Sequence, residues 1–145
     1  MAWPRVSSLK TLEQFQARLR ELEIDLPVDE HVEAGTTSIL SQPMNSVCGP
    51  IGNRWCILPM EGWDGTSDGR PSDLTRRRWR NFGLSGAKLI WGGEAVAVRQ
   101  DGRANPNQLL INDQTVSQLS ELREILEASH REFIGSTDDL VVGLQ

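Results

Sequence analysis

The chain contains no tyrosine, and of its 15 Lys and Arg residues only Lys10 and Lys88 are lysines. A tyrosine acid or base is thereby excluded within these residues, and positive charge falls almost wholly to arginine. Two cysteines, Cys48 and Cys56, make no disulfide framework; with the distant His31 and His130 they supply poorly the four ligands of a zinc site. No run approaches the roughly 20 apolar residues of a membrane span. The start Met1-Ala2-Trp3-Pro4-Arg5 lacks the apolar core of a signal peptide, so the chain reads as cytoplasmic, with no membrane partner. Neither GxGxxG nor GxxxxGK[ST] occurs, which leaves a dinucleotide-binding Rossmann turn and a P-loop without local support. At 145 residues the chain is also too short for a complete (β/α)8 barrel, which needs about 250.

What is present argues for a folded, mildly acidic chain of about one domain's length: 38% hydrophobic, 24% charged, net charge −5. Leu9, Leu12, Phe15, Leu19 and Leu22 recur at helical spacing, with Ser7 or Ser8 as a cap and Pro27 beyond. Residues 25–37 read as an acidic connector, so residues 1–37 form an N-terminal extension and the folded core spans 38–145. The stretch from Ile39 to Gly52, broken by Pro43 and Pro50, reads as a small hairpin or an irregular lead-in.

Beyond Asn53 the signals become regular. Trp55-Cys56-Ile57-Leu58, Ala87 to Trp91 and Leu140 to Leu144 are short continuous apolar runs, the pattern of strands buried on both faces. Between the first two lies a helix with Leu74, Arg77, Trp79 and Phe82, capped by Ser72 or Asp73 and closed by Gly83 or Gly86. Between the last two lies a helix that Asp113 would cap, with Val116, Leu119, Leu122, Ile125, Leu126 and Phe133 at helical spacing. The order β-α-β-α-β implies a parallel sheet with right-handed crossovers. Chemistry in such sheets gathers at the carboxyl ends of the strands, here Pro59-Met60-Glu61, Gly93-Glu94-Ala95 and Leu144-Gln145.

Several residues have bland readings. Arg76, Arg77, Arg78 and Arg80 spread around one helix of an acidic chain, which favours a solvated face over nucleic-acid contact. His31 and His130 read as structural, the cysteines as small apolar residues near the first strand, and Asp64 and Asp68 as turn formers rather than metal ligands. Glu94 reads either as a buried functional carboxylate or as one bonded to neighbouring backbone.

The strand ends also carry a pattern. Asn53-Arg54-Trp55-Cys56-Ile57-Leu58-Pro59-Met60 resembles the first barrel strand of the NADH:flavin oxidoreductase, or Old Yellow Enzyme, family. Leu89 to Val98, with Gly102-Arg103, resembles its second strand, and Val142-Gly143-Leu144-Gln145 the strand ending in a flavin-contacting glutamine. Asn107-Gln108-Leu109 and the helix after it match the route to that third strand, so the likeness runs over residues 39–145.

The resemblance implies the N-terminal portion of an FMN-binding TIM (β/α)8 barrel, about three parallel strands with crossover helices; the N-terminal helix lies outside the likeness. In that family FMN takes hydride from NADH or NADPH and passes it to an electron-poor small molecule, often an enone alkene. It implies that Pro59 and Met60 line the flavin, Glu61 stands beside it, Ala95 allows close approach and Gln145 bonds the pyrimidine edge. Glu61 and Leu58 depart from the residues common at those positions; a carboxylate at Glu61 would oppose negative charge on reduced flavin. The family's acceptor-binding, proton-donating and phosphate-binding elements lie beyond the third strand, so no catalytic residue is assigned here. The isolated chain is expected to be inactive, to bind FMN weakly or not at all, and to self-associate through exposed sheet edges. The alternative is a standalone α/β module that binds a small ligand or a protein partner.

Overall fold

A computed structural model describes residues 5–91 and 93–145. The Met1-Ala2-Trp3-Pro4 start and Gly92 of the second strand's end lie outside the described residues. The chain divides into two compact units, Met1–Ala34 and Gly35–Gln145. The boundary precedes Ser38 because Gly35–Thr37 forms a 3-10 turn tied forward, Gln42 Nε2 donating to Thr36 O at 2.6 Å.

In the first unit, Leu12–Glu21 forms helix α1. Its cap is Thr11, whose hydroxyl accepts from Gln14 N, and not Ser7 or Ser8. Those serines belong to an earlier 3-10 turn, Val6–Ser8, where the Ser8 hydroxyl is already donating to Arg5 O. Leu12, Phe15, Leu19 and Leu22 are half-buried along one stripe, and Leu9 falls outside the helix.

The second unit opens with a hairpin, β1 (Met44–Ser46) antiparallel to β2 (Gly49–Ile51). Then follow β3 (Cys56–Ile57), α2 (Asp73–Leu84), β4 (Leu89–Trp91), α3 (Val116–Ile134) and β5 (Val141–Gly143). The three later strands form one parallel sheet, β3-β4-β5, with Cys56 beside Leu89, Leu89 beside Val141, and Trp91 beside Gly143. This is a mixed α/β fold with a parallel three-stranded sheet and no closed barrel among the described residues.

Side chains alternate across a sheet, and the two faces fare differently. Ile57, Ile90 and Val142 point to α2 and α3 and join a core of Trp79, Leu109, Leu119, Leu122 and Leu126. The opposite face holds Cys56, Leu89, Trp91, Val141 and Gly143. Cys56 there is exposed and Trp91 is 48% exposed, while Leu58, beyond the end of β3, is 69% exposed. The expectation of strands buried on both faces is therefore corrected: both crossover helices cover the same side. Cys48, at the β1–β2 turn, is exposed too, so neither cysteine serves as an apolar filler.

Local expectations fare unevenly. Ser72 caps α2, accepting from Leu74 N and Thr75 N. Gly83 does not close that helix; it lies inside it, where α2 and α3 touch, and a Cβ there would strike Leu126 O. Asp113 does not cap α3: the cap position is Thr115, whose hydroxyl accepts from Asn112 N and donates to Leu110 O. Phe133 continues the stripe Leu119, Leu122, Leu126 and His130 by spacing, yet it is exposed: it lies in the last turn of α3. His130 is fully buried, with Nδ1 2.9 Å from Gly83 O. Because a carbonyl only accepts, Nδ1 carries the proton, and the ring is neutral: burial lowers its pKa, Lys88 adds to this, and the Gly83 carbonyl and Asp139 oppose it. Lys88 itself is buried and paired with Asp139 at 2.5 Å, near the amino ends of the strands.

Candidate functional site

The carboxyl ends of the three strands are joined by main-chain bonds that continue the sheet beyond its regular part. Ala95 N donates to Met60 O at 3.2 Å, and Val96 N donates to Gln145 O at 2.9 Å. Met60, Ala95 and Gln145, taken from three separate strand ends, thus share one rim. Pro59 and Ala95 are half-buried, whereas the Met60, Glu61 and Gln145 side chains are exposed, Met60 to 71%. Met60 and Glu61 also line a groove of about 520 Å³ with Leu58, Trp63, Leu74 and Phe82; Pro59, Ala95 and Gln145 do not line it.

Behind the rim lies a polar cluster centred on Arg78, for which the expectation of a solvated charge face is corrected. Arg78 Nε and Nη2 meet the two Asp64 oxygens at 2.9 and 2.8 Å, Nη2 also pairs with Glu94, and Nη1 donates to Gly93 O. Arg76 reaches Glu121 on α3 instead, while Arg77 and Arg80 are exposed, so the basic cluster is divided by helix position. A helical stripe could have found Arg78: it lies three residues after Thr75 and four before Phe82, on the inward face of α2.

Glu94 settles between its two readings as a fully buried carboxylate bonded both to Arg78 and to backbone. Its Oε1 accepts from Gly62 N at 2.6 Å. Burial pushes its pKa up, against the downward pull of Arg78 and the Gly62 N–H. Asp64 is less buried, and there the hydrogen bond from Arg78 prevails and holds its carboxyl below the usual range. Burial would lower the Arg78 pKa, but hydrogen bonds to Asp64 and Glu94 outweigh it and hold the guanidinium above its ordinary value.

Two further buried side chains reach the rim. Asn105 Nδ2 donates to Gly62 O at 3.0 Å, and Gln108 Nε2 donates to Ala95 O at 2.8 Å. Asn105 could not be singled out from sequence, because Asn before Pro in a loop is an ordinary turn residue, and Gln108 entered only as part of the route to the third strand. Asp68 remains a turn former, bonded to Thr66 and Arg70. Among the described residues no three His, Cys, Asp or Glu side chains converge as a metal site requires. Nor is any described helix long and apolar enough to cross a membrane.

No family model matches this chain, and no curated protein matches it. Its chemistry is therefore read from the rim. Ala95 offers a small side chain between Met60 and Gln145, and the exposed Gln145 amide has both a donor and an acceptor to offer. A flat heterocycle edge fits that set. A phosphate does not: Arg78, the cation beside the rim, is already engaged by Asp64, Glu94 and Gly93.

Proposed function

We propose that this chain is the N-terminal part of a TIM barrel of the NADH:flavin oxidoreductase class, and that its strand-end rim forms one wall of an FMN site. The observation that carries the reading is the convergence of Met60, Ala95 and Gln145, each drawn from a different strand end, into one main-chain-bonded edge. FMN, when bound, supplies hydride transfer from NADH or NADPH to an electron-poor small molecule. The residues of this chain position and enclose. Pro59 and Met60 face the ring through main chain and van der Waals contact, Ala95 leaves room for it, and the Gln145 amide bonds its polar edge. Glu61 places a carboxylate at the margin of the same wall, where it disfavours added negative charge. On this reading the phosphate would be held by groups other than these, so that the ring alone governs what this wall recognises.

A titration of the 15N-labelled chain with FMN, and separately with riboflavin, tests this by amide chemical shifts. The expected result is weak binding, with matching shifts at Met60, Ala95, Val96 and Gln145 for both flavins. Flavin shifts that spare those amides would overturn the reading, as would binding that requires the phosphate. Shifts confined to Trp63, Leu74 and Phe82 would favour instead a standalone module that takes a ligand in the 520 Å³ groove.

A further inference from the structure

The main chain of the rim is held by buried side chains, and they converge on one residue. Gly62 follows Met60 and Glu61 on the loop after β3. Its N–H is taken by Glu94 at 2.6 Å and its carbonyl by Asn105 at 3.0 Å. Arg78 then ties Glu94 to Asp64, which stands two residues further along the same loop. No side chain fits at Gly62: a Cβ there would lie 2.6 Å from Arg78 Nη2, 2.7 Å from Glu94 Oε1 and 2.8 Å from Asp64 Oδ1.

A buried ion pair is a poor source of stability, since well-packed apolar groups of similar volume are often neutral or better. What it supplies is geometry, because each buried oxygen accepts only from donors already fixed in place. None of these side-chain bonds belongs to the β3-β4-β5 ladder. All are spent on the segment that presents Met60, and Gln108 does the same for Ala95 by donating to its carbonyl at 2.8 Å.

We infer that Glu94, held by Arg78 and together with Asn105, is the positioning residue of the rim, locking Gly62 so that Met60 and Ala95 stand where a planar ring meets them. This rests on the flavin reading above for what the rim recognises, though not for the lock itself.

The test uses the full chain, with amide hydrogen exchange and flavin-induced shifts measured on Glu94→Leu, Glu94→Gln and Gly62→Ala. Glu94→Leu is expected to speed exchange at Gly62 and Ala95 by about tenfold or more and to abolish the flavin shifts at Met60 and Ala95, with Ile90 and Leu126 still protected. Glu94→Gln, which keeps an oxygen for the Gly62 N–H, restores both. Unchanged exchange at Gly62 and Ala95 in Glu94→Leu overturns the inference, as does survival of the flavin shifts. Should Glu94→Leu also lose protection at Ile90, Gly62→Ala decides: local opening with an intact core supports the lock, and no local opening refutes it. If the unsubstituted chain shows no flavin shifts, the exchange pattern alone judges the lock.

Discussion

Replacing Gly83 by alanine sets two rules against each other. Gly83 lies within α2, where alanine is the better helix former by about 1 kcal/mol. The structure predicts the opposite sign. The added Cβ would overlap Leu126 O and lie 3.0 Å from Ser129 Cβ and 3.1 Å from His130 N, all on α3. The obstructing atoms include the backbone of a helix, which cannot rotate away as a side-chain tip can. Forcing an extra methyl into such a contact costs about 1–3 kcal/mol. Separating the helices also lengthens the 2.9 Å contact between Gly83 O and His130 Nδ1, a further loss of about 1 kcal/mol. Set against the propensity gain, Gly83→Ala should destabilise by about 1–3 kcal/mol. Urea unfolding followed by fluorescence and far-UV circular dichroism would measure this as a lower midpoint at unchanged slope. Asn81→Ala, exposed on the same helix, serves as the control and should be neutral or slightly stabilising. A Gly83→Ala chain as stable as the parent would refute the claim that α2 and α3 meet backbone to backbone at this point.

Two other outcomes follow from burial. His130 is neutral when folded because burial lowers its pKa, so the unfolded chain takes up its proton first as pH falls below about 6.5. Stability should therefore decline from about pH 6.5 towards pH 5, and His130→Leu should flatten the slope in that window relative to the parent; equal slopes would exclude His130 as the source. Cys48 and Cys56 are free and exposed, so both should react with a thiol reagent in the absence of denaturant; a thiol that reacts only on unfolding would contradict its placement.

The elements that were legible in the sequence are those whose signal is local. Ser72 before an apolar stripe gave the start of α2, and three short apolar runs separated by helical spacing gave the parallel order of β3, β4 and β5. The same runs misled about burial, because continuous apolarity records what a strand can tolerate and not which face is covered. Cys56 and Trp91 belong to that uncovered face. The cap of α3 differs because Asn112 and Thr115 build a turn of their own, with Asp113 inside it and its side chain exposed. At the site, Met60, Ala95 and Gln145 were brought to one rim by the general rule for parallel sheets. The side chains that fix them were not, since Arg78 and Asn105 act on Gly62 and Glu94 across long sequence separations that no local pattern encodes.

The way the rim is fastened has a consequence for how it can change. A ladder of main-chain bonds is written in every residue alike and offers mutation almost nothing to alter. The bonds at Gly62 and Ala95 are different, because each has a genetically replaceable side chain at one end: Glu94, Asn105 or Gln108. Stiffness at the binding edge can therefore be raised or relaxed one residue at a time while the sheet beneath keeps its register. Variation among descendants of this chain, or in a directed-evolution library, should accordingly tune the edge through these three positions and leave Cys56–Ile57, Leu89–Trp91 and Val141–Gly143 as the constant frame.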